Sequence, residues 1–136
     1  MYTIEEPKIQ PIIGTDSVRL LDKYTAQIDD KLLSIDAGYT CDGASIPSIL
    51  WPLLGHPLSS SNLPAALIHD ALYATHLLSR AESDRILRDK LIDTGKNRIA
   101  AYTIWTGVRM FGFIAWRKDI SHINASKLLI TIKELS

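Results

Sequence analysis

The sequence predicts an α+β fold, a small antiparallel β-hairpin or sheet packed against a layer of three main α-helices. Three observations carry this. Val18 to Ile28 and Lys31 to Tyr39 read as strands on either side of Asp29-Asp30, a tight turn. Helix starts and stops punctuate residues 62–117. Leu128-Leu129-Ile130-Thr131-Ile132 is strand-like and can return to the first hairpin.

Each element has its own signal. Residues 1–16 carry Pro7, Pro11 and Gly14 and read as an N-terminal arm. In the hairpin segment, 17–40, Leu33 and Ile35 alternate with Ser34 and Asp36, as a strand with one wet face requires. Residues 41–58 form a shaped loop and short helix: Gly43 permits unusual dihedrals, Pro47 holds Ile46 extended, and Gly55 and Pro57 close a turn over Ser48 to Leu54. In the helical core, Ser59-Ser60-Ser61-Asn62 offers N-caps and Pro64 suits a first turn, so a helix is expected from Leu63 to Leu77. Ser79 with Glu82 makes a capping box for a second helix that ends before Gly95. A third helix is expected from Asn97 to Trp116, and the C-terminal strand over 127–133. All of it fits one domain of 136 residues.

Composition excludes several classes. Lys+Arg and Asp+Glu both count 15, so the formal net charge is zero, which disfavours binding by neutralising phosphates. With 46% hydrophobic and 22% charged residues, disorder is excluded. A single cysteine, Cys41, rules out an internal disulfide and a Cys-rich zinc site. The start of the chain lacks the basic, apolar and small-residue regions of a signal peptide. Ile99 to Trp116 is the long apolar run, and Arg109 within it argues for a packed helix rather than a membrane span. Inside such a helix Arg109 pairs with a buried carboxylate or marks a wet edge.

Chemistry concentrates in one helix. His69 and Tyr73 are four apart and share a face, with Asp70 beside them in an apolar context, Ala65 to Ile68. Burying an imidazole and a carboxylate together requires partners, so this face meets a polar partner, lines a site, or stays in solvent. On the second helix, folding back around residue 79 sets His69 level with Asp89 and brings Asp84 nearer to Tyr73. Asp84 there orients the imidazole or accepts the tyrosine hydroxyl, unless it is a surface acid beside Arg85 or Arg88. Asp42, with Ser45 and loop carbonyls, offers oxygen ligands to a hard cation such as calcium; an Asp-Gly turn bonding its own backbone reads the same way. Phosphate-binding glycine loops and the H-E-x-x-H and G-x-S-x-G motifs are absent. Trp51, Trp105 and Trp116 read as core or interface anchors.

Several segments together resemble a phage-encoded domain family of unknown function. They are Asp42-Gly43-Ala44-Ser45-Ile46-Pro47, Leu50 to Gly55, Ala65 to Tyr73 with its His69-Asp70-x-x-Tyr73, Ser79 to Arg85, and Val108-Arg109 with Gly112. The similarity spans about residues 38–117; Ser83 stands where a small apolar residue is expected and Leu87 where an aromatic is usual. It implies bacteriophage or prophage origin and brings no activity. His69-Asp70-x-x-Tyr73 followed by a later Asp also resembles the helix core of the phospholipase A2 group. That resemblance implies His69 as base, Asp70 as calcium ligand, Asp84 as orienting acid and Tyr73 as its support. The group's glycine-rich calcium loop is not recognisable, Asp42-Gly43-Ala44 being a poor substitute, and the short connection puts Asp84 and His69 out of level.

Two functions follow. The first is a non-catalytic phage protein, a virion or tail component or a host-interaction protein, whose partners are other phage proteins or a host protein and not nucleic acid. The second is a calcium-assisted His/Asp hydrolase acting on an ester or amide of the host envelope, the reading under which the chain contacts membrane. Either is made in the host cytoplasm, and the first is carried into the particle.

Overall fold

The computed structural model describes residues 6–42, 46–55, 59, 61–116 and 120–135. It is α+β, as expected, and the strands form two three-stranded antiparallel sheets. One sheet has the order β1 (Ile9–Pro11), β2 (Val18–Leu20), β5 (Thr40–Cys41). The other has β3 (Tyr24–Ile28), β4 (Lys31–Ile35), β6 (Ile130–Glu134).

The Asp29-Asp30 turn forms as read, with Asp29 at φ 54°, the left-handed geometry that two-residue hairpins require. On the other edge of β4, Ile35 faces Ile130 and Leu33 faces Ile132, so the C-terminal strand does return to the hairpin. The expected strand from Val18 to Ile28 is instead two. It breaks at exposed Leu21 to Lys23, because β2 pairs with β1 and β5 while β3 pairs with β4. The strand expected to reach Tyr39 stops at Ile35: Gly38, at φ 96°, turns the chain, and Gly38 N–H donates to Leu20 O while Leu20 N–H donates to Tyr39 O. The N-terminal arm contributes β1 to this sheet.

After Ser48–Leu50, a 3₁₀ turn, α1 (Trp51–Leu54) ends at Gly55, φ 81°. Then come α2 (Leu63–Thr75), α3 (Arg80–Asp93) and α4 (Arg98–Phe111), the three main helices. α2 stops two residues short of Leu77, because His76 takes the left-handed conformation, φ 54°. Ser79 Oγ accepts from Glu82 N–H, so α3 has its expected cap; Asn97 caps α4 through the N–H groups of Ile99 and Ala100. α4 gives way at Gly112 to a 3₁₀ turn, Gly112–Ile114, so the third helix does not run unbroken to Trp116. A further helix, α5 (Ile120–Lys127), lies against α2 and β6.

Asp70 is the one residue of α2 that is not buried, so this helix is wrapped on all sides. Leu67, Ile68, Ala71 and Leu72 pack with Leu20, Leu33, Ile35 and Ile130 of the sheets. Ala65 and Ala66 pack with Leu87 and Leu91 of α3 and Ala101, Ile104 and Val108 of α4. The small residues let the helices approach, and the stripe at 101, 104 and 108 is the helical repeat that seats α4.

Candidate functional site

Asp84 is the centre of the polar set. Its side chain is 0% exposed, a costly place for a carboxylate without partners. Four donors meet it. Oδ1 accepts from His69 Nε2 at 2.8 Å and Tyr73 Oη at 2.6 Å; Oδ2 accepts from Arg109 Nη1 at 2.9 Å and Arg80 Nη1 at 3.5 Å. A carboxylate only accepts, so the network assigns the imidazole proton to Nε2. Arg80 also donates to the carbonyls of Val108 (3.1 Å) and Arg109 (3.2 Å) in the last turn of α4. One carboxylate thus ties α2, α3 and α4 together.

The expected mismatch of level between His69 and Asp84 does not occur. His69 lies six residues and Tyr73 two before Thr75, the end of α2, whereas Asp84 lies four after Arg80, the start of α3. The chain folds back between Leu77 and Leu78, so Asp84 faces a level midway between His69 and Tyr73, and both reach it. Asp89, expected opposite His69, instead pairs with Arg85 (3.0 Å) and Arg88 (3.1 Å). Arg109 pairs with a buried carboxylate, one of its two expected roles. Arg80 was not marked by sequence reasoning, although its spacing to Asp84 is i, i+4.

Electrostatics follow from the packing. Burial alone raises the Asp84 carboxyl; hydrogen bonds from His69 and Tyr73, the imidazole, and the Arg109 hydrogen bond outweigh it and hold the group below its ordinary value. Burial lowers His69; the Asp84 contact offsets part of this, and Arg80 lowers it further. Burial and then Asp84 raise the Tyr73 phenol, so it donates as a neutral hydroxyl. Its ring lies 4.2 Å from His69 and meets Trp116 edge-on at 5.0 Å. Gly112 makes room: a Cβ there would stand 2.5 Å from Tyr73 Oη.

Asp70 and Asp42 lie apart from this hub. Both line a cleft of about 890 Å³ between the β5 segment, α2, the turn after α4, and α5. Tyr73 lines it too, whereas His69 and Asp84 sit behind its wall, each with 0% of its side chain exposed. Asp70 Oδ2 accepts from Tyr39 Oη at 2.5 Å. Burial, then the Asp70 charge, push the Tyr39 phenol well up. Tyr39 and Asp70 are 31 residues apart, and no local pattern announces their contact. A calcium ion takes six to eight oxygens. Asp42 and Asp70 line one cleft with the hydroxyl residues Thr40 and Ser48, a partial fit; Ser45 lies outside the described residues. No group of three or more His, Cys, Asp or Glu among the described residues is arranged for a metal ion.

Comparison with known proteins returns no function. The model of a family described as "Protein of unknown function (DUF1353)" matches residues 18–108, which include Asp42, His69, Asp70, Tyr73, Arg80 and Asp84. The chain is similar to an uncharacterized protein, y4iH, of Sinorhizobium fredii (strain NBRC 101917 / NGR234), 31% identical over 112 residues. The match covers 72% of this chain and 46% of that relative, so the chain spans about half the relative's length. No solved structure matches it significantly. No helix among the described residues is long and apolar enough to cross a membrane.

Proposed function

The chain belongs to the DUF1353 family of proteins of unknown function, and we propose that it is a non-catalytic bacteriophage protein, a virion or tail component or a host-interaction protein. The observation that carries the non-catalytic reading is the full pairing of buried Asp84 by four donors, two of them guanidinium groups. A catalytic base gains from an adjacent carboxylate whose charge stabilises the imidazolium. Here that charge is already neutralised by Arg80 and Arg109, and His69 is closed off from the cleft. The set acts as a lock that fixes three helices and so shapes the cleft beside them. Phage origin rests on the resemblance of the ordered motifs from Asp42 to Gly112.

A second reading draws on one observation: His69 gives Nε2 to an acid while Asp70 and Asp42 share a cleft. Under it, Asp70 and Asp42 would hold a calcium ion, which would supply electrostatic stabilisation of an oxyanion; His69 would be the base for water, with Asp84 and Tyr73 positioning its ring. Mass spectrometry of purified particles, with a calcium-dependent lipid and peptidoglycan hydrolysis assay on the wild type, separates the two. The non-catalytic reading expects the chain in the particle or on a captured host protein, and no turnover. Turnover that His69→Ala lowers about 10²–10⁴-fold in a folded protein overturns it.

A further inference from the structure

One side of α4 packs into the core through Ala101, Ile104 and Val108. The opposite side carries Ile99, Thr103, Thr106, Met110 and, in the 3₁₀ turn that follows, Phe113. All five are exposed, and they succeed one another at steps of four, three, four and three. That alternation is the spacing of a seam between two helices. Ile99, Met110 and Phe113 are 79%, 61% and 62% exposed, where a solvent-facing helix side is ordinarily polar. Tyr102, 45% exposed, closes one edge of the row, with the Arg88 guanidinium 4.7 Å from its ring centre. The two threonines do not depend on water. Thr103 Oγ1 donates to Ile99 O at 2.7 Å and Thr106 Oγ1 to Tyr102 O at 2.9 Å, which leaves their methyl groups for contact. A continuous exposed row of this kind marks an interaction surface.

The row is symmetric about its own centre, and this selects the occupant. Read inward from either end, a large apolar residue, Ile99 or Met110, is followed four positions on by a threonine, Thr103 or Thr106. Laid antiparallel on an identical row, Ile99 meets Met110 and Thr103 meets Thr106, and each contact occurs twice with the roles exchanged. A two-fold interface requires that self-complementarity. Small residues at the centre let the two backbones approach, and large ones fill the ends where crossing helices diverge. The chain balances 15 bases against 15 acids, so two copies do not repel each other. Taking about 150–250 Å² for each large side chain, the exposed fractions of Ile99, Tyr102, Met110 and Phe113 amount to roughly 400–600 Å² per copy, the low end of specific interfaces.

We propose that the outer side of α4 is a homodimer seam, on which a second copy of this chain docks antiparallel with Ile99 against Met110 and Thr103 against Thr106. The dimer is weak and concentration-dependent, and it stands whether the chain is a particle component, a host-interaction protein or an enzyme.

Sedimentation velocity of the full chain from about 1 to 200 μM tests it, with an expected monomer–dimer dissociation constant on the order of 10 μM. Thr106→Glu, with unchanged thermal unfolding, should weaken the dimer at least about tenfold, because the two-fold brings two carboxylates into an apolar seam. Salt up to about 0.5 M should leave the wild-type dimer in place, since no ion pair holds the row. The register is tested at exposed positions, independently of Thr106→Glu. Ile99→Cys and Met110→Cys chains, mixed and treated with a short bismaleimide, should cross-link to each other in preference to themselves. Wild type, whose single Cys41 is buried, is the control and should not cross-link. A chain that stays monomeric at about 200 μM overturns the inference, as does a dimer that salt dissolves or that Thr106→Glu leaves intact. Preferential cross-linking between like positions also overturns it. So does a monomer that sediments with phosphatidylglycerol vesicles and loses them on Met110→Glu, which assigns the row to membrane.

Discussion

Asp84 shows how a charged residue can be placed where charge is least tolerated. Its two oxygens divide the work, one taking neutral donors from α2 and the other two guanidinium groups. The close approach of Tyr73 depends on Gly112. A Cβ added there would meet Tyr73 Oη at 2.5 Å, Arg80 Nη1 at 3.2 Å and Tyr73 Cζ at 3.4 Å. Gly112→Ala is therefore expected to cost about 1–3 kcal/mol by forcing the hydroxyl off Asp84. In a Tyr73→Phe background the same change should cost markedly less, since the obstructing oxygen is gone. A double-mutant cycle by urea unfolding measures this; additive costs contradict it.

The same residues set a pH dependence. His69 is held below its ordinary 6.5. From pH 6.5 downward the unfolded chain takes up a proton that the folded one refuses, so stability falls as pH drops through the folded value. Asp84, held below 3.8, adds stability that is present above that pH and lost as pH falls through its own folded value. His76 is also lowered by burial, and by Lys127, and titrates in the same direction. The check is therefore the difference between the stability–pH curves of wild type and His69→Gln. The variant should show a shallower fall below pH 6.5; identical slopes contradict the assignment.

At the scale of elements, α2 is legible in sequence because its N-terminal proline and apolar run agree with its burial on every side but Asp70. α3 is legible from the Ser79–Glu82 pair, and Ser83, unusual at its buried position, satisfies its hydroxyl on the Ser79 carbonyl at 2.9 Å. The level of Asp84 was misjudged because that depends on where α2 ends. The left-handed turn at His76 has no glycine or asparagine to announce it. α5 escaped for another reason: Ser126 is its one buried residue, so it carries no apolar stripe to read. Strand limits were misread because a single apolar run, Val18 to Ile28, serves two sheets, a decision made by partners distant in sequence. β6 completes the second sheet. A chain ending at Leu129 leaves β3 and β4 as a two-stranded hairpin, which is marginal in water. Thermal unfolding followed by circular dichroism should lose its cooperative transition; an unchanged midpoint contradicts this role for β6.

Over the whole molecule, α2 divides two apolar cores, one against the sheets and one against α3 and α4. The lock at Asp84 joins the three helices on the side where α4 begins to unwind at Gly112, beside the wall of the cleft. His69, Asp70, Tyr73 and Asp84 could all be found from spacing and capping. Their division into a sealed hub and an open acidic cleft could not, because one residue along a helix turns a side chain by about 100° and only packing says which direction is inward. The central claim is that the hub holds the fold. Equilibrium urea unfolding of Asp84→Asn tests it most directly, since the substitution keeps the shape and removes the charge that two guanidinium groups face. The account predicts a loss of about 3 kcal/mol, the low end for a broken buried pair because both arginines keep part of their hydration. Stability within about 0.5 kcal/mol of wild type would contradict it.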